Sequence, residues 1–195
     1  MRLLLVSAAG VALLSACATN APEAAAPPVD ASSPLYAPNY LGMAGSSDQL
    51  EIQSGQLAQQ MSQNPSVRQM GAMLVADHTN STQQLMAAAQ SAGIAAPPTA
   101  MRPEHAAMLQ QIQSAPPGQF DMVFRDVQIQ AHQQALQLHQ SYASGGDVPA
   151  LRTTAANIVP VVQSHLNMLQ SLQVMAAPPP PGPTYEQPAK PGERG

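Results

Sequence analysis

Four side chains in this 195-residue chain have the types that bind a transition metal: Glu51, His78, His132 and His165. Imidazole nitrogen with carboxylate oxygen suits iron, zinc, copper or manganese. Asp77, directly before His78, is a candidate to hold a ligating imidazole in orientation. Such a set does chemistry only if separate elements bring it to one level, so the elements decide its worth.

The organising element is the stretch Val67 to Ala89. Val67, Met70, Gly71, Leu74, His78, Leu85 and Ala89 recur at helical spacing and form one apolar face with His78 near its middle. Before it, a helix from about Ser47 to Gln63 carries Leu50, Ser54, Leu57 and Met61, with Ser46 and Gln49 at capping-box spacing. Asn64-Pro65 is a cap followed by a first-turn proline, so these two helices form a tight antiparallel hairpin. The third helix, about Gln119 to Ser144, has the stripe Phe120, Phe124, Val127, Ala131, Ala135, Leu138 and Tyr142 and ends at Gly145-Gly146. Asp147 is its successor's expected cap. The fourth helix, about Val148 to Met175, carries Leu151, Ala155, Ile158, Val162, His165, Leu166, Leu169 and Leu172, with a kink expected at Pro160.

The long connection from Gly93 to Gly118 contains a short helical pattern from Pro103 to Gln113. A helix of some 26 residues is roughly 39 Å tall, and this connector is long enough to span it. The second and third helices then run parallel. The fold class is all-α, a ferritin-like four-helix bundle with one long crossover between the second and third helices.

Heights can now be counted. Glu51 lies 13 residues before Asn64, His78 lies 13 beyond Pro65, and His132 lies 13 beyond Gln119. His165 faces Val127, about 7 Å from the His132 level at 1.5 Å per residue. His78 and His165 point towards the core, with Glu51 and His132 on the flanks of their stripes. The alternative is a pair of hydrogen-bonded core histidines with two boundary residues. His105 and His139 read as solvated or boundary residues, and Asp121 with Arg125 as a surface ion pair.

Composition narrows the classes. Only 9% of residues are charged and 3% aromatic, so apolar volume comes from aliphatic residues and the 11 Met, which suits helices. The seven Lys and Arg are scattered in a chain of net charge −4, which argues against nucleic acid. No nucleophile has a base beside it and no phosphate loop is present, so nothing points to an enzyme.

The first residues have another use. Arg2, the apolar run Leu3 to Leu14 and Leu14-Ser15-Ala16-Cys17 resemble a bacterial lipobox, with the only cysteine at its cleavage point. Residues 1–16 read as a lipoprotein signal peptide. Cys17 is then lipidated, and 17–45 form a Pro/Ala-rich tether whose last part docks on the domain. Residues 46–176 are the bundle and 177–195 a Pro-rich tail. Ala18 after the cysteine favours the outer membrane, with the chain facing the periplasm and the lipid as its membrane contact.

The ordered set Glu51, Leu57-Ala58, Val67, Met73, Asp77-His78, Phe120-Asp121, Phe124, His132, Pro160 and His165-Leu166 resembles a bacterial family of exported, ferritin-like four-helix proteins. That family is known as a domain of unknown function and is often described as outer membrane proteins. The resemblance implies the bundle and the parallel middle helices but transfers no catalytic residue. Diiron sites of ferritins use Glu-x-x-His, whereas Val75, Ile129 and Val162 stand three before the histidines here. The expected function is a lipid-anchored, periplasm-facing interaction or stress-related module with an unidentified protein partner. The alternative is a transition-metal-binding protein using Glu51, His78, His132 and His165.

Overall fold

The computed structural model describes residues 29–95 and 100–174. The expected signal peptide, Cys17, Pro97-Pro98 and the Pro-rich tail lie outside the described residues. Five helices and no strand are present among the described residues: α1 Ala37–Met61, α2 Pro65–Ser91, α3 Pro103–Gln113, α4 Phe120–Gly145 and α5 Pro149–Ser171. The chain is all-α.

Local chemistry sets most helix ends. Asn64 Oδ1 accepts from the Ser66 N–H at 2.9 Å, and Pro65 occupies the first helical position, where a missing N–H does no harm. At Gly93 a positive φ of 70° ends the chain's path beyond α2, a conformation glycine adopts without steric penalty. α5 continues through Pro160 as one helix.

Two ends differ from expectation. α1 begins at Ala37, ten residues before Ser47, so residues 37–45 are helix rather than extended tether. Tyr40, Leu41 and Ala44 are buried there, and that apolar contact drives the extra turns. Ser46 is therefore not a helix cap. It sits inside α1, where its Oγ accepts from the Arg102 N–H at 2.8 Å and meets His105 Nδ1 at 2.7 Å, tying the connector and α3 to the bundle. Asp147 does not cap α5 either: its carboxylate accepts from Tyr142 Oη at 2.8 Å, and Val148 is the capping residue.

Long-range contacts fix direction. Asn64 Nδ2 donates to the Gln173 carbonyl at 3.1 Å, which puts the α1–α2 joint beside the far end of α5. Tyr40, early in α1, stacks on Tyr142, late in α4, with ring centroids 3.7 Å apart. α1 therefore runs against α4 and α2 against α5, and α2 and α4 point the same way. The core divides into two apolar clusters, one around Leu74, Phe124 and Leu169 and one around Tyr40, Tyr142 and Leu151. Between them lies a polar seam.

α1 and α2 pack backbone to backbone at Gly55 and Gly71. A Cβ added to Gly71 would lie 2.5 Å from the Gly55 carbonyl oxygen, and one on Gly55 would lie 2.6 Å from that of Gly71. Only glycine permits this spacing.

Candidate metal centre

The polar seam is built from all four long helices. α2 contributes His78, α4 contributes His132 and α5 contributes His165, and each offers one nitrogen within 4.8 Å of the other two. The ring centroids form a nearly equilateral triangle, 5.6 Å from His78 to His132 and 5.5 Å for the other two pairs. From α1, Glu51 stands at the edge of this trio, with Oε1 3.8 Å from His132 Nδ1.

Three of the four positions differ from the flank-and-level reading. Glu51 is 1% exposed and His132 0% exposed, so both are core residues rather than flank residues. His165 is level with His78 and His132, not displaced. Its ring centroid lies 5.5 Å from those of both His78 and His132.

Each imidazole is held from outside by an oxygen. Asp48 Oδ1 meets His78 Nδ1 at 2.8 Å, the Gln128 carbonyl meets His132 Nδ1 at 2.9 Å, and Asp77 Oδ2 meets His165 Nε2 at 3.0 Å. A carbonyl or carboxylate oxygen only accepts, so each of these nitrogens carries the proton. The other nitrogen of each neutral ring is then a bare lone pair. Those nitrogens are His78 Nε2, His132 Nε2 and His165 Nδ1, and none has a hydrogen-bond partner. Both carboxylate oxygens of Glu51 are equally unpartnered. Among the described residues, five of the seven buried side-chain atoms without a partner belong to these four residues.

Electrostatics separate the members of the group. Burial pushes the Glu51 carboxyl up to about 7, helped by the Asp48 charge and opposed by His78 and the Gln128 amide. The Gln128 Nε2 hydrogen bond itself goes to Ser54 Oγ at 2.8 Å, so the carboxylate keeps no donor of its own. Burial and the neighbouring His78 and His165 push His132 down to about 3. Burial also lowers His165, against the pull of Asp77. For His78 burial is outweighed by the Asp48 hydrogen bond and charge, with Glu51 and Asp77 adding, and its pKa rises.

Asp48 was not foreseen from sequence, although its place one helical turn before Glu51 puts both carboxylates on one face. Gln128 was also missed, and it precedes His132 by one turn. Thr82 Oγ1 donates to the second Asp48 oxygen at 2.9 Å, completing that carboxylate's support. His105 and His139, expected near solvent, are both buried. His139 Nδ1 meets Tyr40 Oη at 2.9 Å, and burial pushes this imidazole down to about 4. Arg125 pairs with its exposed neighbour Asp126 at 2.8 Å rather than with Asp121.

A family profile described as "Domain of unknown function (DUF4142)" matches residues 18–172. The chain belongs to this DUF4142 family. No curated protein matches the chain. Among solved structures this DUF4142 chain is similar to CopM in its Cu(II)-bound form, at 16% identity and TM-score 0.60, over 70% of this chain and 94% of CopM. It is also similar to a DUF305 fragment from Deinococcus radiodurans, at 19% identity and TM-score 0.56, over 74% of this chain and 97% of the fragment. These likenesses show a shared helical fold for the DUF4142 domain.

The chemistry of the trio follows from its own atoms. A buried polar atom without a partner costs roughly 1–3 kcal/mol, and native folds carry few of them. Here most of them concentrate in one place, three unpartnered imidazole nitrogens beside a carboxyl group with no hydrogen-bond partner. A cation satisfies them together. Ligating nitrogens around a tetrahedral ion stand about 3.3 Å apart, so the trio needs to close by no more than about 1.5 Å.

Proposed function

We propose that this DUF4142 protein binds a transition-metal ion through His78, His132 and His165, with Glu51 as the fourth ligand or charge partner. The observation that carries this reading is the set of three inward imidazole nitrogens, each bare because an outer oxygen fixes the opposite tautomer. Outer partners of this kind raise ligand basicity and orient the rings. Copper is the preferred ion among iron, zinc, copper and manganese. Imidazole suits it, it stands highest in divalent affinity, and a neighbour of the same fold was solved with Cu(II) bound. The three imidazoles lie deep in the core, none more than 3% exposed, which favours holding an ion over turning over a substrate. The reading as an interaction or stress-related module has no comparable cluster behind it.

The parallel α2 and α4, joined through the connector that contains α3, support a ferritin-like arrangement with one long crossover. The lipobox-like Leu14-Ser15-Ala16-Cys17 supports lipid attachment at Cys17 and an outer-membrane position facing the periplasm. Together these make the protein an envelope-tethered metal holder.

The test is metal analysis of the purified chain after loading separately with Cu(II), Zn(II), Fe(II) and Mn(II), with electron paramagnetic resonance of the copper form. The expected result is one ion per chain and nitrogen hyperfine coupling, both lost in His132→Ala. Failure of every ion to bind at stoichiometric level would overturn the proposal.

A further inference from the structure

The three outer supports of the trio differ in their contact with solvent. The Asp48 side chain is 3% exposed, and the Gln128 carbonyl lies within the buried turn of α4. The Asp77 side chain is 41% exposed. Of the three supports it alone reaches the surface.

Two depressions meet at that residue. An open groove of about 340 Å³ lies between α2 and α5, bordered by Met73, Asp77, Pro160, Ser164 and His165. A narrower cleft of about 50 Å³ runs past Ser81 to His78. Asp77 and Val161 line both. Pro160 has no N–H to donate, so the Ala156 carbonyl lacks its usual helical donor. α1 and α2 touch backbone to backbone at Gly55 and Gly71, and Ser54 with Gln128 fills the α1–α4 contact.

We propose that the metal ion enters and leaves between α2 and α5, drawn in by Asp77, whose hydrogen bond to His165 closes the passage over the trio. This rests on the metal reading above. A cation approaching this face meets the half-exposed carboxylate first, where opposite charge raises its local concentration. When Asp77 releases His165 Nε2, that ring is free to turn and admit the ion to His78 and His132. With the ion in place, Asp77 again accepts the His165 Nε2–H and steadies the ligand.

A passage differs from a ligand in what it changes. Blocking it alters the rates of arrival and departure together and leaves affinity alone. Val161 is 40% exposed and is neither a ligand nor a support of one, so Val161→Trp narrows both depressions without touching the trio. Stopped-flow mixing of Cu(II) with the full-length chain should show association and dissociation slowed by about tenfold each, with Kd within about twofold. Met86→Trp, on an exposed position of α2 away from both depressions, should change neither rate. Asp77→Asn retains an acceptor oxygen for His165 but removes the charge. It should slow association at low salt by about tenfold and flatten its ionic-strength dependence. Unchanged rates in both Val161→Trp and Asp77→Asn, with copper still bound, overturn the passage and leave the metal reading standing. Absence of copper binding in the unaltered chain overturns both.

Discussion

Replacing Glu51 by Gln should stabilise the metal-free protein at alkaline pH while weakening its hold on metal. The Glu51 carboxyl is fully buried, has no hydrogen-bond partner on either oxygen, and is pushed by burial from 4.5 up to about 7. Its folded-state pKa is thus above its unfolded value, so the native state binds the proton more tightly. Stability attached to this group is fully present below pH 4.5. It falls as pH rises from 4.5 to 7 and stays lost above that. The shift of about 2.5 units corresponds to about 3 kcal/mol at 1.36 kcal/mol per unit. Glu51→Gln has nearly the same shape and never ionises. Urea unfolding in the presence of a chelator should therefore show the variant more stable than the parent by about 3 kcal/mol at pH 8, with the two converging near pH 4.5. With Cu(II) in excess the order should reverse, because a cation beside the carboxylate turns its ionised form from a liability into a ligand. A variant that is less stable than the parent at pH 8 without metal would refute the reasoning. So would one whose copper affinity equals the parent's.

Other perturbations test the supports. His78→Leu should destabilise the metal-free chain by about 3 kcal/mol or more in chemical denaturation, because it leaves the buried Asp48 carboxylate with only Thr82 as partner. That substitution therefore does not by itself separate a structural from a metal-binding histidine, and His132→Ala is the cleaner choice. Gly71→Ala places a methyl 2.5 Å from the Gly55 carbonyl oxygen and forces α1 from α2, for an expected net loss of about 1–2 kcal/mol after the gain in helix propensity. The same displacement pulls Asp48 from His78, so copper affinity should fall with it, as read by competition titration. Tyr40→Phe removes the partner of buried His139 and should cost about 1–3 kcal/mol, seen as a drop in Tm. His139 is pushed from 6.5 down to about 4 by burial, so its contribution is complete above pH 6.5 and is lost as pH falls towards 4.

The sequence by itself determined the helices and most of their ends. Apolar spacing marked α2, α4 and α5, Asn64-Pro65 marked the hairpin joint, and Pro103 to Gln113 marked α3, because periodicity and capping are properties of neighbouring residues. It also singled out Glu51, His78, His132 and His165 by residue type and approximate height. What a single strand of text does not carry is azimuth. Whether Glu51 faces a flank or the core depends on how α1 rotates against α2 and α4, and the close backbone contact of Gly55 with Gly71 sets that. The same applies to Asp48, Gln128, His105 and His139, whose burial comes from partners 30 to 99 residues away or from the turn that those partners enclose. The start of α1 at Ala37 was hidden for a similar reason. Ala, Pro and Gly in residues 37–45 read as tether until Tyr40 finds Tyr142 and His139 on the far side of the chain. Tertiary packing alone decided the central point: the three imidazoles converge with their lone pairs inward, because the oxygens that orient them sit on their outer sides.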